Sequence, residues 1–297
     1  MYLKNKKMKY IIPIVLCIVA AAIIYIVTNN SISLNNYETN SNNTHINNEN
    51  TIDSDTAKSV DSNSKNRFEN IPITSDNIGV PVLYYHSVSE NSINDVTITP
   101  EKLKEQLNYI NDNNYVTITM RELYSHIENN TPIPQKSIII TFDDGYMNNY
   151  TEAFPILKDL NMTATIFCVG NSLDGSYYLS EDAIKEMSDY GIDIESHTVN
   201  HLHLDTLSYD QQLSEIRNSK NILEKITGKE VLALAYPFGD YNNDTIKATK
   251  EAGYKMAFTT KLGLSDRTDN IYELNRIYIS SSYDMSTFKD LLNNTAK

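Results

Sequence analysis

Two groups of residues in this sequence combine the side chains that a hydrolytic metal site requires. Asp143 and Asp144 follow an isoleucine-rich apolar run, while His197 and His201 follow a second strand-like run. A divalent cation such as zinc binds imidazole nitrogen and carboxylate oxygen, and a catalytic site takes three protein ligands and leaves a position for water. The three ligands can come from Asp144, His197 and His201, which leaves Asp143 as a base.

Each group also has a simpler explanation when it is taken alone. The sequence Asp143-Asp144-Gly145 is typical of a turn after a strand, and two histidines four apart can fall on one helix face by accident. The same spacing predicts that the two imidazoles lie on one side of a helical turn and reach a single ion. His203 has a different offset, which predicts a structural or supporting role.

Short apolar runs alternate with amphipathic segments from Gly79 onward, a pattern that indicates βα units around a parallel sheet. Reactive or turn-forming residues stand at the ends of four predicted strands: His86, Asp143 with Asp144, His197, and Pro237-Phe238-Gly239. In a (β/α) barrel the active site is built at the C-terminal ends of the strands. We therefore expect these four groups to meet at one face of a barrel.

The N-terminal residues predict a membrane anchor. Four lysines in residues 1–9 precede the apolar stretch 10–28, which is long enough to span a membrane. The basic flank is expected to stay cytoplasmic, so the catalytic region lies outside the cell membrane. A cleaved signal peptide, which the small residues at 20–22 allow, would give a secreted protein instead. A lipoprotein signal at Cys17 lacks the small residues that should precede the cysteine.

Composition limits the remaining possibilities. Residues 29–78 are rich in Asn, Ser and Thr with isolated apolar residues, which predicts a disordered linker before a catalytic domain at 79–297. Cys17 and Cys168 are the only cysteines, so there is no disulfide framework. The net charge of -13 argues against nucleic acid as a partner, because phosphates would be repelled. No protein partner is indicated.

Three motifs, in order and on strand ends, resemble those of the polysaccharide deacetylase family, also called the NodB-homology or carbohydrate esterase family. They are Thr141-Phe142-Asp143-Asp144-Gly145, His197-Thr198-Val199-Asn200-His201 and Tyr236-Pro237-Phe238-Gly239. The resemblance implies a distorted (β/α) barrel of about seven strands that uses a divalent metal, most often zinc, to remove acetyl groups from sugar polymers. It implies Asp143 as general base and Asp144, His197 and His201 as metal ligands.

Two positions depart from the common pattern of that family. Many members carry the catalytic acid as a late histidine, whereas the last histidine here is His203. An early motif ending in His86 instead resembles the circularly permuted branch that includes poly-β-1,6-N-acetylglucosamine N-deacetylases, which makes His86 the candidate acid. The third motif often begins with an arginine that orients the base, but Ala235 stands there. Arg276, at the start of a late strand, is the hypothetical substitute.

These features predict a hydrolase that removes N-acetyl groups from N-acetylglucosamine in a cell-envelope glycan. A backbone N–H in the turn 236–239 is expected to help stabilise the oxyanion. The sequence leaves open whether the glycan is peptidoglycan, where deacetylation would hinder lysozyme, or a biofilm polymer such as poly-N-acetylglucosamine. Two other functions also fit: an O-acetyl esterase that acts on a glycan with the same metal site, and a catalytically silent glycan-binding module.

Overall fold

Seven parallel strands close into a barrel in the computed structural model, which describes residues 67–91 and 94–295. The strands are β1 (Val82–Tyr85), β2 (Ser137–Phe142), β3 (Thr165–Cys168), β4 (Asp193–Ser196), β5 (Ala233–Ala235), β6 (Met256–Leu262) and β7 (Leu274–Tyr278). Each strand pairs with the next in chain order, and β7 pairs with β1 to close the ring. The predicted (β/α) barrel is confirmed.

Helices connect most of these strands and cover the outside of the barrel. They are α1 (Pro100–Asp112), α2 (Met120–Asn129), α3 (Phe154–Asp159), α4 (Glu181–Tyr190), α5 (Tyr209–Thr227), α6 (Asn243–Glu251) and α7 (Met285–Asn294). Six begin at a Ser, Thr, Asn or Asp side chain that accepts a backbone N–H, which satisfies a donor that the first turn would leave unpaired. Residues 263–273, between β6 and β7, contain no helix, so the barrel departs from regular alternation there.

Short elements complete the fold. A π-helix, Asn149–Ala153, leads into α3, and Leu204–Thr206 forms a 3-10 turn before α5. Three two-residue strand pairings lie at the edges of the barrel: Ile73–Thr74 with Ile133–Pro134, Ser87–Val88 with Thr97–Ile98, and Val116–Thr117 with the beginning of β2.

The strands are apolar on both faces because both faces are buried. Alternate residues such as Val82, Ile139 and Phe258 form one cluster inside the barrel, while Leu83 and Ile140 pack with the helices in a second cluster. Each such side chain contributes about 1.5–3 kcal/mol when it is fully removed from water. The inner cluster therefore fills the barrel below the strand ends and fixes their spacing.

The folded region begins before the predicted boundary at residue 79. Phe68 packs against the inner cluster, and Arg67 forms an ion pair with Glu122 at 3.0 Å. Residues at the C-terminal end of the predicted linker 29–78 therefore contact the folded domain. Arg67 and Glu122 are 55 positions apart, and a local composition pattern cannot show contacts made over that distance.

The predicted N-terminal segments cannot be compared with the structure. The basic segment 1–9, the membrane helix 10–28 and the linker up to residue 66 lie outside the described residues. Within the described ranges, no helix combines the length and the apolar character that membrane crossing requires.

The N-terminal end of β4 carries two carboxyl groups beside a cavity of about 310 Å³. Glu195 is 3% exposed, and its Oε2 accepts the N–H groups of Leu232 and Ala233 at 2.8 and 2.7 Å. Burial raises the pKa of Glu195 well above its usual range, and the neighbouring Asp193 raises it further. Folded Glu195 therefore keeps its proton at pH values where the unfolded chain has lost it.

The backbone after β5 turns sharply to direct residues toward the barrel mouth. Pro237–Gly239 forms a 3-10 turn in which Phe238 and Gly239 have φ of +60° and +78°. A Cβ atom on Gly239 would lie 2.1 Å from the Oγ1 of Thr260. Only glycine fits this position, because it has neither the steric contact nor the left-handed penalty. Tyr236 anchors the turn by donating its hydroxyl to the carbonyl of Tyr272 at 3.0 Å.

We expect Glu195→Gln to gain stability relative to the wild type as pH rises. Because the pKa of Glu195 is raised in the folded state, the protonated carboxyl contributes its full stabilisation below about pH 4.5. This stabilisation is lost as pH rises through the folded-state pKa, by about 1.4 kcal/mol per unit of pKa difference. Urea unfolding at about pH 5 and pH 8 measures the difference, with the exposed Glu128→Gln as control. A difference between wild type and Glu195→Gln that is the same at both pH values would contradict this protonation state.

We expect Gly239→Ala to cost more stability than Gly228→Ala. Gly228 has a similar φ of +67° but no atom within 4 Å of an added Cβ, so its substitution carries only the backbone penalty of about 1–2 kcal/mol. Gly239→Ala adds the contact with Thr260, which should cost about 1–3 kcal/mol more. Chemical denaturation measures both variants, and equal losses would show that Thr260 moves away without cost.

Candidate active site

The predicted site residues lie on one end of the barrel. His86 follows β1, Asp143 and Asp144 follow β2, His197 and His201 follow β4, the turn 236–239 follows β5, and Arg276 lies within β7. Because the C-terminal ends of parallel strands meet at the same rim, these side chains converge although they are far apart in sequence.

Asp144, His197 and His201 form a cluster whose possible ligand atoms all lie within 4.8 Å of one another. Oδ1 of Asp144 lies 3.5 Å from Nε2 of His197 and 3.3 Å from Nε2 of His201. His197 is almost fully buried, whereas the His201 side chain is 27% exposed, so one side of the cluster is open to solvent. Two imidazoles, one carboxylate and an open side fit a catalytic divalent cation.

The backbone of β5 fixes the orientation of His197. Its Nδ1 lies 2.8 Å from the carbonyl oxygen of Ala235. A carbonyl can only accept, so Nδ1 carries the proton and Nε2 keeps a lone pair directed toward Asp144. Burial lowers the pKa of His197, although the charges of Asp143 and Asp144 oppose this shift. The imidazole is therefore held neutral, which is the form that binds a metal.

His201 reaches the cluster from an irregular loop. Residues 197–203 form no helix, and Thr198 and His201 have φ of +66° and +54°. The predicted helical turn is therefore wrong, although the two imidazole centroids lie 4.8 Å apart. The N–H of His201 donates to the Thr198 hydroxyl at 3.1 Å, and the Thr198 carbonyl accepts the N–H of Gly170 at 2.9 Å. These side-chain and loop contacts replace the helical hydrogen bonds.

The two adjacent aspartates point in different directions because the strand ends between them. The N–H of Asp143 donates to the carbonyl of Tyr85 at 2.9 Å and continues the strand pairing. Asp144 has φ of +71°, a left-handed conformation that aspartate tolerates better than most residues. Asp143 is thus directed into the barrel, where it is 3% exposed, while Asp144 faces the histidines.

Arg276 binds Asp143 through two parallel hydrogen bonds inside the barrel. Its Nη1 and Nη2 donate to Oδ1 and Oδ2 at 2.8 and 2.9 Å, and its Nε donates to the Thr259 carbonyl at 3.0 Å. The guanidinium is fully buried and lies 4.2 Å from the centre of the Tyr84 ring. Planar bidentate pairing of this kind requires arginine, because lysine has no matching fork of donors.

The ion pair sets the charge of Asp143. Burial is the largest single influence and would raise the pKa of this carboxyl, but the charge and hydrogen bonds of Arg276, together with the nearby His197 and His86, outweigh it and lower the pKa to about 2. Each carboxylate oxygen has a second lone pair, so accepting two hydrogen bonds still leaves capacity for a proton. Asp143 is therefore ionised at neutral pH and fixed beside the metal-type cluster.

His86 lies at the mouth of the barrel within the electrostatic influence of both aspartates. Its ring is near Tyr84 and Tyr278, with centroid distances of 5.9 and 6.2 Å. Burial lowers the pKa of His86, while the charges of Asp143 and Asp144 oppose that shift. Its Nδ1 is buried and has no hydrogen-bond partner in the described part of the chain, an arrangement that is costly unless the atom has another use.

The turn after β5 presents one backbone donor. The N–H of Tyr236 donates to the Phe258 carbonyl and that of Gly239 to the Tyr236 carbonyl, while Pro237 has no N–H. Across the described residues no partner is found for the N–H of Phe238. Of the four residues in the predicted oxyanion turn, Phe238 is therefore the one with a free donor.

His203 lies beside the cluster without joining it. Its Nδ1 is 2.6 Å from Oδ2 of Asp240, and its ring stacks on Phe238 with centroids 3.9 Å apart. The Phe238 ring also contacts His201 at 4.5 Å. The predicted supporting role fits this placement, because His203 stacks on the Phe238 ring, which in turn packs on His201 of the metal-type cluster.

Sequence reasoning did not find two backbone carbonyls that the site uses. Ala235 orients His197 and Thr259 orients Arg276. A carbonyl is present at every residue, so no sequence signal could have identified either one. Ala235 stands where the missing motif arginine was expected, and the structure places the Arg276 guanidinium on Asp143 instead.

Comparison with known proteins agrees with this arrangement. Residues 130–257 match the family model described as polysaccharide deacetylase. "Putative polysaccharide deacetylase YxkH" of Bacillus subtilis is 37% identical over 209 residues, which cover 70% of this chain and 74% of that protein. A poly-β-1,6-N-acetyl-D-glucosamine N-deacetylase of Staphylococcus epidermidis is 31% identical over 206 residues, covering 64% of this chain and 70% of the relative.

A solved structure shows the same fold. The Streptococcus pyogenes deacetylase PplD, determined in complex with acetate, superposes with a TM-score of 0.70 at 29% identity. The match covers 73% of this chain and all of that structure. With the barrel, the strand-end motifs and these relatives taken together, the chain belongs to the polysaccharide deacetylase family of hydrolases.

Proposed function

We propose that the protein is a metal-dependent N-deacetylase that hydrolyses N-acetyl groups of N-acetylglucosamine residues in a cell-envelope glycan and releases acetate. The observation that carries the proposal is the convergence of Asp144, His197 and His201 beside a buried, ionised Asp143. A ligand cluster next to a separate carboxylate base is the arrangement that metal-assisted hydrolysis of an amide requires.

Poly-N-acetylglucosamine is the proposed substrate, with peptidoglycan as the alternative. The Staphylococcus epidermidis relative is named for the former polymer. The acidic surface, with a net charge of -13, is compatible with a neutral N-acetylated polymer and attracts a basic amino-sugar product.

Zinc is the proposed cation, since two imidazoles and one carboxylate with an open position are a common catalytic ligand set for it. When bound, such an ion lowers the pKa of water and polarises the acetyl carbonyl. Asp144, His197 and His201 would hold it.

Asp143 is proposed to be the general base. It accepts a proton from the attacking water while Arg276 keeps the carboxylate ionised and fixed in position. A strongly lowered pKa reduces the thermodynamic drive for proton transfer, but it ensures that the base is unprotonated at working pH.

Phe238 is proposed to act on the acetyl carbonyl oxygen, and His86 on the sugar nitrogen that departs. The free N–H of Phe238 donates to the oxygen that gains charge when water adds to the carbonyl. His86 donates a proton to the departing sugar nitrogen. Its burial disfavours the protonated form, so the role depends on the charges of Asp143 and Asp144, which favour it.

The N-terminal sequence supports a proposed location at the outer face of the cell membrane. The basic segment and apolar stretch at 10–28 would anchor the chain, and the polar residues after them would let the barrel reach a polymer layer. If the apolar stretch is cleaved, the same domain is secreted.

We expect Asp143→Asn to lose about 10²–10⁴-fold in turnover while it keeps the metal, because Asp143 is outside the ligand cluster. His201→Ala should lose both turnover and bound metal. His203→Ala, which alters a nearby histidine outside the cluster, should retain the metal. Acetate release from N-acetylglucosamine oligomers and elemental analysis measure the two properties.

The competing functions predict different outcomes in the same assays. Full turnover in Asp143→Asn would refute the base assignment. An O-acetyl esterase would release acetate from acetylated xylan and not from the N-acetylated oligomers, and a silent binding module would release none from either. Metal retained by His201→Ala at the wild-type level would refute the ligand set.

A further inference from the structure

Three tyrosines pack together beside the metal-type cluster and have no role in the chemistry proposed above. Tyr146 lies two residues after Asp144, and its ring is 5.3 Å from that of Tyr177 and 5.5 Å from that of Tyr178. The rings of Tyr177 and Tyr178 are 4.9 Å apart and nearly perpendicular. We refer to these three residues as the tyrosine cluster.

The loop that carries Tyr177 is held in place by hydrogen bonds on both sides. The N–H of Met147 donates to the Tyr177 carbonyl and that of Leu179 donates to the Gly145 carbonyl, both at 2.9 Å. Oδ1 of Asp174 accepts three successive N–H groups, those of residues 176–178, at 2.8 to 3.0 Å. The cluster is therefore a fixed surface that extends from the β2 turn onto the loop after β3.

Exposure distinguishes this cluster from the core aromatics. Tyr177 is 63% exposed although its ring packs perpendicular to the two other rings, whereas Tyr146 and Tyr178 are partly buried. A large aromatic ring held rigidly in water loses little further freedom on binding, so it is preorganised for a ligand that has an apolar face.

The strand order places the cluster across the site from a second exposed ring. The tyrosines follow β2 and β3, the ligand histidines follow β4, and Phe238 follows β5 and is 53% exposed. Because consecutive strands are neighbours around the barrel, the histidines lie between the tyrosine cluster and Phe238. An extended polymer bound over the histidines would cross one aromatic surface on the tyrosine side.

We propose that the tyrosine cluster is a subsite for a pyranose ring of the glycan chain next to the sugar that is deacetylated, with Tyr177 as its stacking surface. The inference rests on the proposed function and specifies how that site holds a polymer. One face of a pyranose presents C–H groups that pack on an aromatic ring, and its equatorial hydroxyls can bond to tyrosine hydroxyls. The site therefore prefers oligosaccharides that are long enough to reach Tyr177.

Chain-length dependence tests this proposal. For Tyr177→Ala, kcat/KM on a β-linked N-acetylglucosamine hexamer should fall about five- to tenfold through a higher KM, while activity on the N-acetylglucosamine monosaccharide is unchanged. Tyr177→Phe should keep most of the hexamer activity, because the ring is retained. Tyr190→Ala is the matched control, since Tyr190 is 43% exposed and contacts Phe154 on the outer helices. It should leave both substrates unaffected.

Equal losses on the monosaccharide and the hexamer, or no loss on either, would overturn the subsite. Calorimetric titration of the hexamer into Asp143→Asn with and without Tyr177→Ala gives a readout that does not depend on turnover. Weaker binding in the double variant supports the subsite, and unchanged binding refutes it. If the wild type binds the hexamer but releases no acetate, the proposed function fails while the subsite stands.

Discussion

The buried ion pair between Arg276 and Asp143 is the constraint on which the site depends. A carboxylate inside a barrel would be protonated by desolvation unless a cation were paired with it, and breaking such a pair costs about 3–5 kcal/mol. Arg276 reaches Asp143 from β7, across the Tyr84 ring of β1, because the closed ring brings β7, β1 and β2 side by side. Barrel closure and the charge of the base are therefore parts of the same arrangement.

The rest of the site is built from backbone that regular elements do not provide. Asp144, Thr198, His201 and Phe238 all have positive φ, although none is glycine. Such conformations cost free energy and persist only where surrounding contacts fix them. The rigid strands supply those contacts, so the barrel holds the ligand atoms together and leaves the Phe238 N–H free. Gly239 is needed because the turn lies directly against Thr260.

Local patterns in the sequence were sufficient for the barrel and for the strand ends that carry the chemistry. Apolar alternation identified the strands, and the motifs identified Asp143, Asp144 and the histidines. Patterns failed where contacts are distant or made by the backbone. The 197–203 loop is not helical because Gly170 and the Thr198 hydroxyl replace its hydrogen bonds. No side chain marks the Ala235 carbonyl, and the partly buried Phe68 packs against core residues that are distant in sequence.

The most direct test of this account is an NMR titration of the Asp143 carboxyl carbon in the metal-free protein. Pairing with Arg276 predicts that Asp143 stays ionised well below the usual carboxyl range, with a pKa of about 2. A pKa at or above the ordinary value of 3.8 would contradict the account. It would mean that burial outweighs the guanidinium, and that Arg276 does not keep the proposed base in its reactive form.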